Sequence, residues 1–358
     1  MKYIKKCIKI LLRKAIWLLY YFFYSLPIDC YFYVKSFLGL LKENEYLGSS
    51  DFGDKICIFV SYPKDGRISE SLNRYLLDLQ LLGYSIIFIA NKDVVLEDIE
   101  KIKSICVRII IRENYGKDFG AYKHGILKYK NQILNSKSLL IANDSVIHIK
   151  SLKPMFDVMN AKNLDFWGVS EAYGPAVYQH HHICSYFLVI NQKILKSEIF
   201  WNFWQKKYKP TYSRVQVIKN GEIAFSSTIK KHSFDMDAYI NSHKMYQELI
   251  NKPDKIQKFT NTSFFNSFKN NEQDIYSALN LMYRLNHNVI YLKLLLQLEL
   301  PLLKKDVFSR CKYYAAELLD ILNKLNINNA EDIIEELLLQ VNPKKSFKDK
   351  ILEFIGEK

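Results

Sequence analysis

Short apolar runs alternate with helical patterns between residues 56 and 146, and this alternation constrains the fold more than any other feature of the sequence. Runs rich in Ile, Leu, Val and Phe are typical of buried strands; they are Ile56–Tyr62, Tyr84–Asn91, Ile105–Arg112 and Lys137–Val146. Helical periodicity separates them, over Ser69–Leu82, over Val95–Lys103 and up to about Tyr129. Such an order predicts an α/β fold with a mostly parallel sheet flanked by helices.

Polar residues follow every one of these predicted strands. They are Tyr62–Arg67, Asn91, Arg112–Gly120 and Asn143–Asp144. The carboxyl ends of parallel strands share one edge of the sheet, and ligands of open α/β sheets bind beyond that edge. We therefore expect these residues to lie together and to form a binding site.

The loop Asn114–Gly120 carries a glycine or a polar residue at every second position and opens a predicted helix. Glycine allows a ligand to approach the backbone closely. Amide groups at the N-terminus of a helix bind phosphate oxygens. The loop is therefore predicted to bind phosphate, although the glycines of an ordinary turn would give the same pattern.

Two carboxylates have the positions that chemistry on a diphosphate would need. Asp144 ends an apolar strand, where it could hold Mg²⁺ or Mn²⁺, with Asn143 adding a carbonyl oxygen. The alternative for Asp144 is a helix N-cap or a turn. Glu222 follows a predicted turn at Gly221 and opens an apolar helical run, which suits a general base for a hydroxyl acceptor. Glutamates are also common in first helical turns because of the helix dipole.

Cysteine and histidine do not predict a zinc site. The six cysteines are scattered without a C-x-x-C pair, which argues against a disulfide framework and suits a reducing cytoplasm. His180, His181 and His182 are adjacent, and neighbouring side chains on a strand point to opposite faces. At most two of them could share one ion, and we expect His182 to contact a phosphate or an acceptor.

The N-terminus is predicted to form an amphipathic helix. Basic residues at helical spacing would share one face of it; they are Lys2, Lys5, Lys6, Lys9 and Arg13. The uncharged aromatic run Ala15–Ile28 is shorter than the roughly 20 residues that span a bilayer, and it lacks the small-x-small pattern of a signal peptide cleavage site. These features favour an anchor on an anionic membrane surface. The alternative is an ordinary helix packed on the domain.

The net charge of +14 calls for an acidic partner. Nucleic acid is not expected, because the basic residues concentrate at the N-terminus and are not interleaved with aromatic residues in a recognisable motif.

Further along the chain, "DFWGVSEAY" and "ICSYFLVIN" predict two more strands. Residues from about Asp274 onward look mostly helical, including Leu292–Lys305 with a break at Pro301. We divide the chain into an N-terminal segment (1–50), an α/β domain (55–275) and a helical C-terminal region (276–358).

Six segments occur in an order that resembles the rhamnan synthesis F family of bacterial polysaccharide glycosyltransferases, which is related to the family 2 glycosyltransferases. They are "FVSYPKDGRI", "RENYGKDFGAYKHGI", "LLIANDSV", "DFWGVSE", "HHICSYFLVI" and "LELPLLKKDVF". The resemblance covers roughly Lys55 to Cys311 and is most specific in the REN-x-G-x-DFGA block and the NDS that follows it.

The resemblance implies a GT-A-like fold and an inverting glycosyltransferase. Such an enzyme moves a sugar, often rhamnose, from a nucleotide-sugar donor to a lipid-linked acceptor of a cell-surface polysaccharide or lipopolysaccharide. It would be peripheral, on the cytoplasmic face of the inner or plasma membrane. The competing interpretation is a membrane-associated, non-catalytic scaffold with a degenerate glycosyltransferase fold.

The resemblance also implies roles for particular residues. The expected donor-binding residues are Tyr62, Asp65, Asn91, Arg112, Asn114, Gly116, Asp118 and Gly120. The expected acceptor or phosphate residues are Asp165, Trp167, His182 and Ser185. Asp144 looks like the surviving acid of a D-x-D motif, so that with Asn143 it would form the site of a divalent cation, Mg²⁺ or Mn²⁺. Ser145 stands beside it where a second acid is sometimes found, and this departure favours the scaffold. Glu222 is the candidate base.

Overall fold

A computed structural model describes residues 2–49, 51–63, 65–173, 181–241 and 300–305. Beyond these it describes residues 319–320, 322–323, 326–327, 329–338, 351–352 and 355. The chain forms two compact units. The first comprises Met1–Asp144, Leu195–Phe225 and Asn342–Lys358; the second comprises Ser145–Ile194 and Ser226–Val341.

The first unit begins with a long helical segment, as predicted. Helix α1 (Lys2–Tyr20) continues through a π-helical turn (Tyr21–Ser25) into α2 (Leu26–Phe37). Pro27 follows this π-helical turn closely, and because proline has no N–H it interrupts the regular helical hydrogen bonds at this point. No helix in the described ranges is both long and apolar enough to span a bilayer.

A largely parallel sheet forms the centre of the first unit, and the predicted α/β class is confirmed. Its strands are β1 (Glu43–Leu47), β2 (Lys55–Ser61), β3 (Ser85–Ala90), β4 (Cys106–Arg112) and β5 (Ser138–Asn143), in the spatial order β1-β4-β3-β2-β5. β2, β3, β4 and β5 pair in parallel, whereas β1 pairs antiparallel to β4. The parallel strands are almost fully buried, which explains their continuous apolar runs. The prediction placed residues 43–47 in the N-terminal helical segment and contained no strand there.

Helices cover this sheet. They are α3 (Glu70–Leu81), α4 (Leu96–Ile102), α5 (Lys117–Lys128) and α6 (Lys130–Asn135). Ser69 caps α3 by accepting a hydrogen bond from the amide of Leu72, and α3 buries its apolar face at Leu72, Leu76 and Leu79. Gly125 brings α5 against the strands, because a Cβ there would lie 2.8 Å from Ile89 Cδ1.

The second unit contains its own strands and helices. They are β6 (Val146–His148), α7 (Lys153–Asn160), β7 (Phe166–Tyr173), β8 (His181–Ile183) and β9 (Phe187–Asn191). Later in the sequence the same unit contains β10 (Met236–Ile240), β11 (Leu302–Lys304) and a helix at Ala330–Leu338. β7 lies between β9 and β10, antiparallel to the first and parallel to the second, and also pairs with β8. The predicted strand "ICSYFLVIN" is therefore shorter than expected: Ile183 ends β8, a turn follows at Cys184–Tyr186, and β9 forms the rest.

Two predictions of helix need correction or stay open. Leu302–Lys304, within the predicted helical run Leu292–Lys305, form a strand because they pair antiparallel with β6. Ala330–Leu338 is helical as predicted for the C-terminal region, and Ile333, Ile334 and Leu337 bury its apolar face. Most of residues 276–358 lies outside the described residues, so the three-part division of the chain stays a prediction.

Helical pieces complete the part of the chain between residues 192 and 231. They are α8 (Gln192–Leu195), α9 (Glu198–Asn202), a π-helical turn (Phe203–Lys207), α10 (Arg214–Val217), a second π-helical segment (Ile218–Ile223) and α11 (Ala224–Lys231). Gly221 does not form the turn that was predicted before Glu222. It lies inside the helical stretch, where a Cβ would be 2.7 Å from the Phe119 ring.

Candidate functional site

The carboxyl ends of β2 and β5 meet at Asp144. Its Oδ2 atom accepts a hydrogen bond of 2.6 Å from the Ser61 hydroxyl and one of 3.0 Å from the Tyr62 amide. The Asp144 amide in turn donates to the carbonyl of Val60 at 3.1 Å. Asp144 is half-buried, and its Oδ2 atom is therefore held by the neighbouring strand.

The ends of β3 and β4 meet at a buried pair. Arg112 donates to the Asn91 Oδ1 atom at 2.9 Å and to the Tyr115 carbonyl at 3.0 Å. The Asn91 amide nitrogen donates to the Lys117 carbonyl at 3.3 Å. Burial lowers the pKa of the Arg112 guanidinium to about 10, while the negative charge of Glu43 nearby opposes this decrease. The guanidinium is therefore still a cation at neutral pH. Asn91 and Arg112 thus fix the loop that leads into α5.

Asp118, Asn143 and Tyr122 form a second polar group at the same edge. The Asn143 amide nitrogen donates to the Asp118 Oδ2 atom at 3.1 Å. Burial first, and then the charges of Asp118 and Glu222, raise the pKa of the Tyr122 phenol well above its ordinary value, while a side-chain hydrogen bond with Asn143 opposes the rise. The carboxylates of Asp118 and Glu222 therefore both act electrostatically on the Tyr122 phenol.

The glycines of the loop pack against the protein itself. Gly116 has a left-handed φ of +77°, and a Cβ there would lie 2.6 Å from Pro210 Cβ. A Cβ on Gly120 would lie 2.1 Å from the Tyr115 carbonyl oxygen. We predicted that these glycines allow a ligand to approach the backbone closely. In the structure the protein's own backbone and Pro210 occupy that space, and donor binding by Gly116 and Gly120 stays a prediction.

Three other expected donor residues are more accessible or lack a partner. Tyr62 is 46% exposed at the end of β2. Asp65 is exposed in the following turn, where it accepts a hydrogen bond of 3.0 Å from the Arg67 amide. The Oδ1 atom of Asn114 is shielded from solvent and finds no hydrogen-bond partner among the described residues. A buried acceptor without a donor costs free energy, so a ligand that donates a hydrogen bond there would stabilise the loop.

The expected acceptor or phosphate residues lie in the second unit. Asp165 is buried and accepts from Lys193 at 2.7 Å and from the Asp235 amide at 3.0 Å. Trp167 is buried, with its ring centroid 5.0 Å from that of Phe156.

The histidines of this region differ in their surroundings. His182 is buried in β8 opposite Ala172, and Ser185 lies in the turn after it. The neighbouring His181 lies 2.5 Å from the buried carboxylate of Glu171. In these positions Asp165 and Trp167 stabilise the interior of the second unit, and a role of any of the four expected residues with an acceptor stays a prediction.

The donor set for a divalent cation is small. In the part of the chain that the structure describes, no three His, Cys, Asp or Glu side chains form a group that could hold a metal ion. Asp144 offers one carboxylate, and two hydrogen bonds already engage its Oδ2 atom. The Asn143 amide nitrogen is committed to Asp118. This set fits a cation that takes most of its oxygen ligands from a diphosphate, and it does not fit a metal held by the protein alone.

Sequence reasoning missed two residues of this edge, namely Ser61 and Tyr122. Ser61 is a polar residue at the end of an apolar run, which was a usable signal. Tyr122 stands four residues after Asp118, so the helical spacing of α5 places both side chains on one face. Lys117 lies within the predicted loop, but the sequence did not indicate that its backbone carbonyl would accept a hydrogen bond from Asn91.

Comparison with known proteins supports the resemblance. Residues 86–263 match the family model of rhamnan synthesis protein F, and this match confirms the resemblance that the motifs indicated. An uncharacterised protein of Sinorhizobium fredii, y4gN, is 29% identical over 185 residues, which are 51% of this chain and 48% of that protein. The chain thus spans about half the length of the curated relative that it matches.

Two solved structures are similar over part of the fold. One, described as a glucose-1-phosphate thymidylyltransferase of Bacillus anthracis in complex with a sucrose, has a TM-score of 0.34 and 8% identity over 51% of this chain and 86% of that chain. Core-mannan synthase A of Aspergillus fumigatus, in an Mn/GDP form, has a TM-score of 0.26 and 11% identity over 45% of this chain and 66% of that chain. Because both TM-scores are below 0.5, neither similarity bears on the ligands of this chain.

Proposed function

We propose that this chain, of which residues 86–263 match the rhamnan synthesis protein F family, is a glycosyltransferase. It moves a sugar, with rhamnose as the first choice, from a nucleotide-sugar donor to a lipid-linked acceptor of a cell-surface polysaccharide or lipopolysaccharide. One observation carries the proposal: hydrogen bonds join the polar ends of four parallel strands into a single edge. Open α/β sheets bind their ligands at this position.

The donor nucleotide lies along this edge in the proposal. Tyr62 is exposed enough to contact a base, and Asn114 has a buried acceptor atom that suits a hydroxyl donor such as a ribose. Asp118 is held by Asn143 and faces the same edge. Arg112 and Asn91 are buried and already bonded to each other, so their part is to fix the loop that carries Asn114 and Asp118.

A divalent cation, Mg²⁺ or Mn²⁺, would bind at Asp144 and neutralise charge on the diphosphate. Ser61 and the Tyr62 amide orient the Asp144 carboxylate through its Oδ2 atom. In the proposed inverting reaction, Glu222 takes the proton of the acceptor hydroxyl while that oxygen attacks the anomeric carbon. The bond from this carbon to the diphosphate oxygen breaks, and the nucleoside diphosphate leaves with the electron pair.

The acceptor side of the proposal is a membrane. Among the exposed large apolar side chains of α1 and the π-helical turn after it, seven form two groups in which residues are adjacent or three to four positions apart; they are Ile8, Leu11 and Leu12, and then Leu18, Leu19, Phe22 and Phe23. Soluble helices seldom expose this many large apolar side chains. Together with the net charge of +14, these side chains favour anionic lipid on the cytoplasmic face of the membrane. We call these seven residues the lipid stripe.

Screening of nucleotide sugars tests the proposed function. The full chain is incubated with uridine, guanosine and thymidine diphosphate sugars, with and without Mn²⁺, and thermal stabilisation and release of the nucleoside diphosphate are measured. We expect one donor class to stabilise the protein and to be turned over. The Asp144→Asn variant, which keeps an oxygen for Ser61 and Tyr62, should lose the Mn²⁺-dependent part of the effect.

Absence of binding by every donor, with either cation, would favour the non-catalytic scaffold. The observation that favours a scaffold function is that Asp144 offers a single carboxylate for a metal ion. A scaffold would still bind anionic vesicles, so vesicle binding without donor binding separates the two functions.

A further inference from the structure

Helix α2 packs directly on the loop at the end of β4. The Phe32 ring stacks on the Tyr115 ring, with centroids 5.1 Å apart and an interplanar angle of 13°. Lys35 forms an ion pair with Glu113, and the hydrogen bond from Lys35 lowers the pKa of the Glu113 carboxyl. The helix that follows the lipid stripe therefore contacts two residues of the segment 113–117, which we call the donor loop.

The same face of α2 also binds the segment that lies over the donor loop. Asp29 accepts a hydrogen bond of 2.7 Å from the Thr211 hydroxyl and one of 2.5 Å from the Tyr212 amide. The neighbouring Pro210 packs on Gly116 and accepts a hydrogen bond of 3.4 Å from the Tyr115 hydroxyl at its carbonyl. The donor loop is thus enclosed between α2 and residues 210–212.

The other side of the enclosure is a cation–π contact. Lys117 places its Nζ atom 4.9 Å from the centroid of the Tyr212 ring. Tyr212 also makes an edge-to-face contact with Tyr24, at 5.8 Å between centroids, in the π-helical turn before α2. Tyr212 therefore connects the helical segment to the last residue of the donor loop.

The backbone of the donor loop needs external support. Gly116 and Lys117 have consecutive left-handed φ values of +77° and +53°. A lysine in this region is strained, and such a conformation persists only when the surroundings hold it. Arg112 holds one side through the Tyr115 carbonyl. The ring of Phe32, the ion pair of Lys35 and the bonds of Asp29 hold the other.

We infer that α2 is a positioning element for the donor loop, and that Asp29, Phe32 and Lys35 set the affinity for the donor through Tyr115 and Glu113. This inference rests on the proposed function, since it assigns the loop to the donor. It gives the N-terminal segment a second task beside lipid binding. Phe32 is the central contact, because its ring lies on the loop residue that Arg112 also holds.

The test compares two substitutions of the same kind on one helix. Phe32→Ala removes the stack on Tyr115, whereas Phe37→Ala changes a ring that is 81% exposed on the last residue of α2. Binding of uridine, guanosine and thymidine diphosphates is measured by calorimetry with the full chain and Mn²⁺. We expect Phe32→Ala to weaken binding of the preferred diphosphate about tenfold and Phe37→Ala to leave it unchanged. In turnover, Phe32→Ala should raise KM for the donor more than it lowers kcat.

Two further measurements separate positioning from general instability. Phe32→Tyr keeps the stacking ring and should restore the affinity. Hydrogen exchange at the amides of residues 113–117 should be faster in Phe32→Ala than in Phe37→Ala, with no difference in the central strands. If Phe32→Ala does not fold, Lys35→Met gives the same comparison, because it removes the ion pair with Glu113 and keeps an unbranched aliphatic side chain on α2.

The outcomes are distinct. Equal diphosphate affinity in the wild type, Phe32→Ala and Lys35→Met overturns the inference and leaves the proposed function standing. Failure of the wild type to bind any diphosphate overturns both.

Discussion

The Ser61 hydroxyl donates a hydrogen bond of 2.6 Å to the Oδ2 atom of Asp144, and it thereby ties the last residue of β2 to the residue that follows β5. A hydrogen bond to a charged group contributes about 1.5–3 kcal/mol. Here its consequence is directional, because it fixes which carboxylate oxygen remains for a ligand.

Ser61→Ala should therefore lower kcat/KM for the donor about tenfold while the protein stays folded, since about 1.4 kcal/mol corresponds to a factor of ten. The Tyr62 amide keeps one bond to Asp144, so the loss should be partial. Ser138→Ala is the matched control, because Ser138 lies at the opposite end of β5. Equal losses in both variants would show that the Ser61 bond has no particular role at the site.

Glu222→Gln should separate chemistry from binding. The glutamine keeps the size of the side chain but cannot accept the proton of the acceptor hydroxyl, so we expect kcat to fall by about 10²–10⁴. Donor affinity, measured by calorimetry, should stay within a factor of about two of wild type, roughly the precision of such data. Glu198→Gln, an exposed glutamate in the first turn of α9, serves as the control. Wild-type turnover by Glu222→Gln would remove Glu222 as the base.

Gly120→Ala should destabilise the protein although Gly120 lies inside helix α5. Alanine normally stabilises a helix relative to glycine by about 0.5–1 kcal/mol. At Gly120 the new Cβ would meet the Tyr115 carbonyl oxygen at 2.1 Å, and overpacking of this kind costs about 1–3 kcal/mol. Urea unfolding measures the change.

Gly39→Ala is the reference for that measurement. Gly39 has a left-handed φ of +68°, but no atom lies within 4 Å of the position that a Cβ would take, so only the backbone cost of about 1–2 kcal/mol applies. A stabilising effect of Gly120→Ala would mean that α5 can move away from Tyr115.

Charged residues in the lipid stripe should abolish binding to lipid. Leu11→Glu combined with Leu19→Glu places two carboxylates among side chains that are 66% and 59% exposed in the wild type. We expect flotation with vesicles containing phosphatidylglycerol to be lost in this variant and retained in Phe32→Ala. Binding of the double variant at wild-type level would show that another surface meets the membrane.

The sheet was predictable because its signals are local. Each parallel strand is a continuous apolar run with a polar end, and parallel pairing then brings those ends together without further information. Residues that are far apart in sequence were not predictable in this way. Pro210 leaves no space for a side chain at Gly116. Nothing in the sequence of the loop indicates that the segment carrying Pro210 packs there.

The failure to predict strand β1 has a similar explanation. Its sequence, ENEYL, carries no apolar alternation, and the strand is held by its neighbours. Glu43 and Glu45 form ion pairs with Lys128, and Tyr129 donates to Glu45. Side-chain partners contributed by α5 and the segment after it are visible only once the chain has folded.

Strand β1 also has a consequence for any shortened form of the protein. A chain that begins at Asp51 loses β1 together with the helices, and this leaves one side of Cys106–Arg112 without its hydrogen-bonded neighbour. An uncovered apolar sheet edge recruits strands from other molecules. Such a chain should aggregate, and a loss of activity in it could not be assigned to the absence of lipid contact.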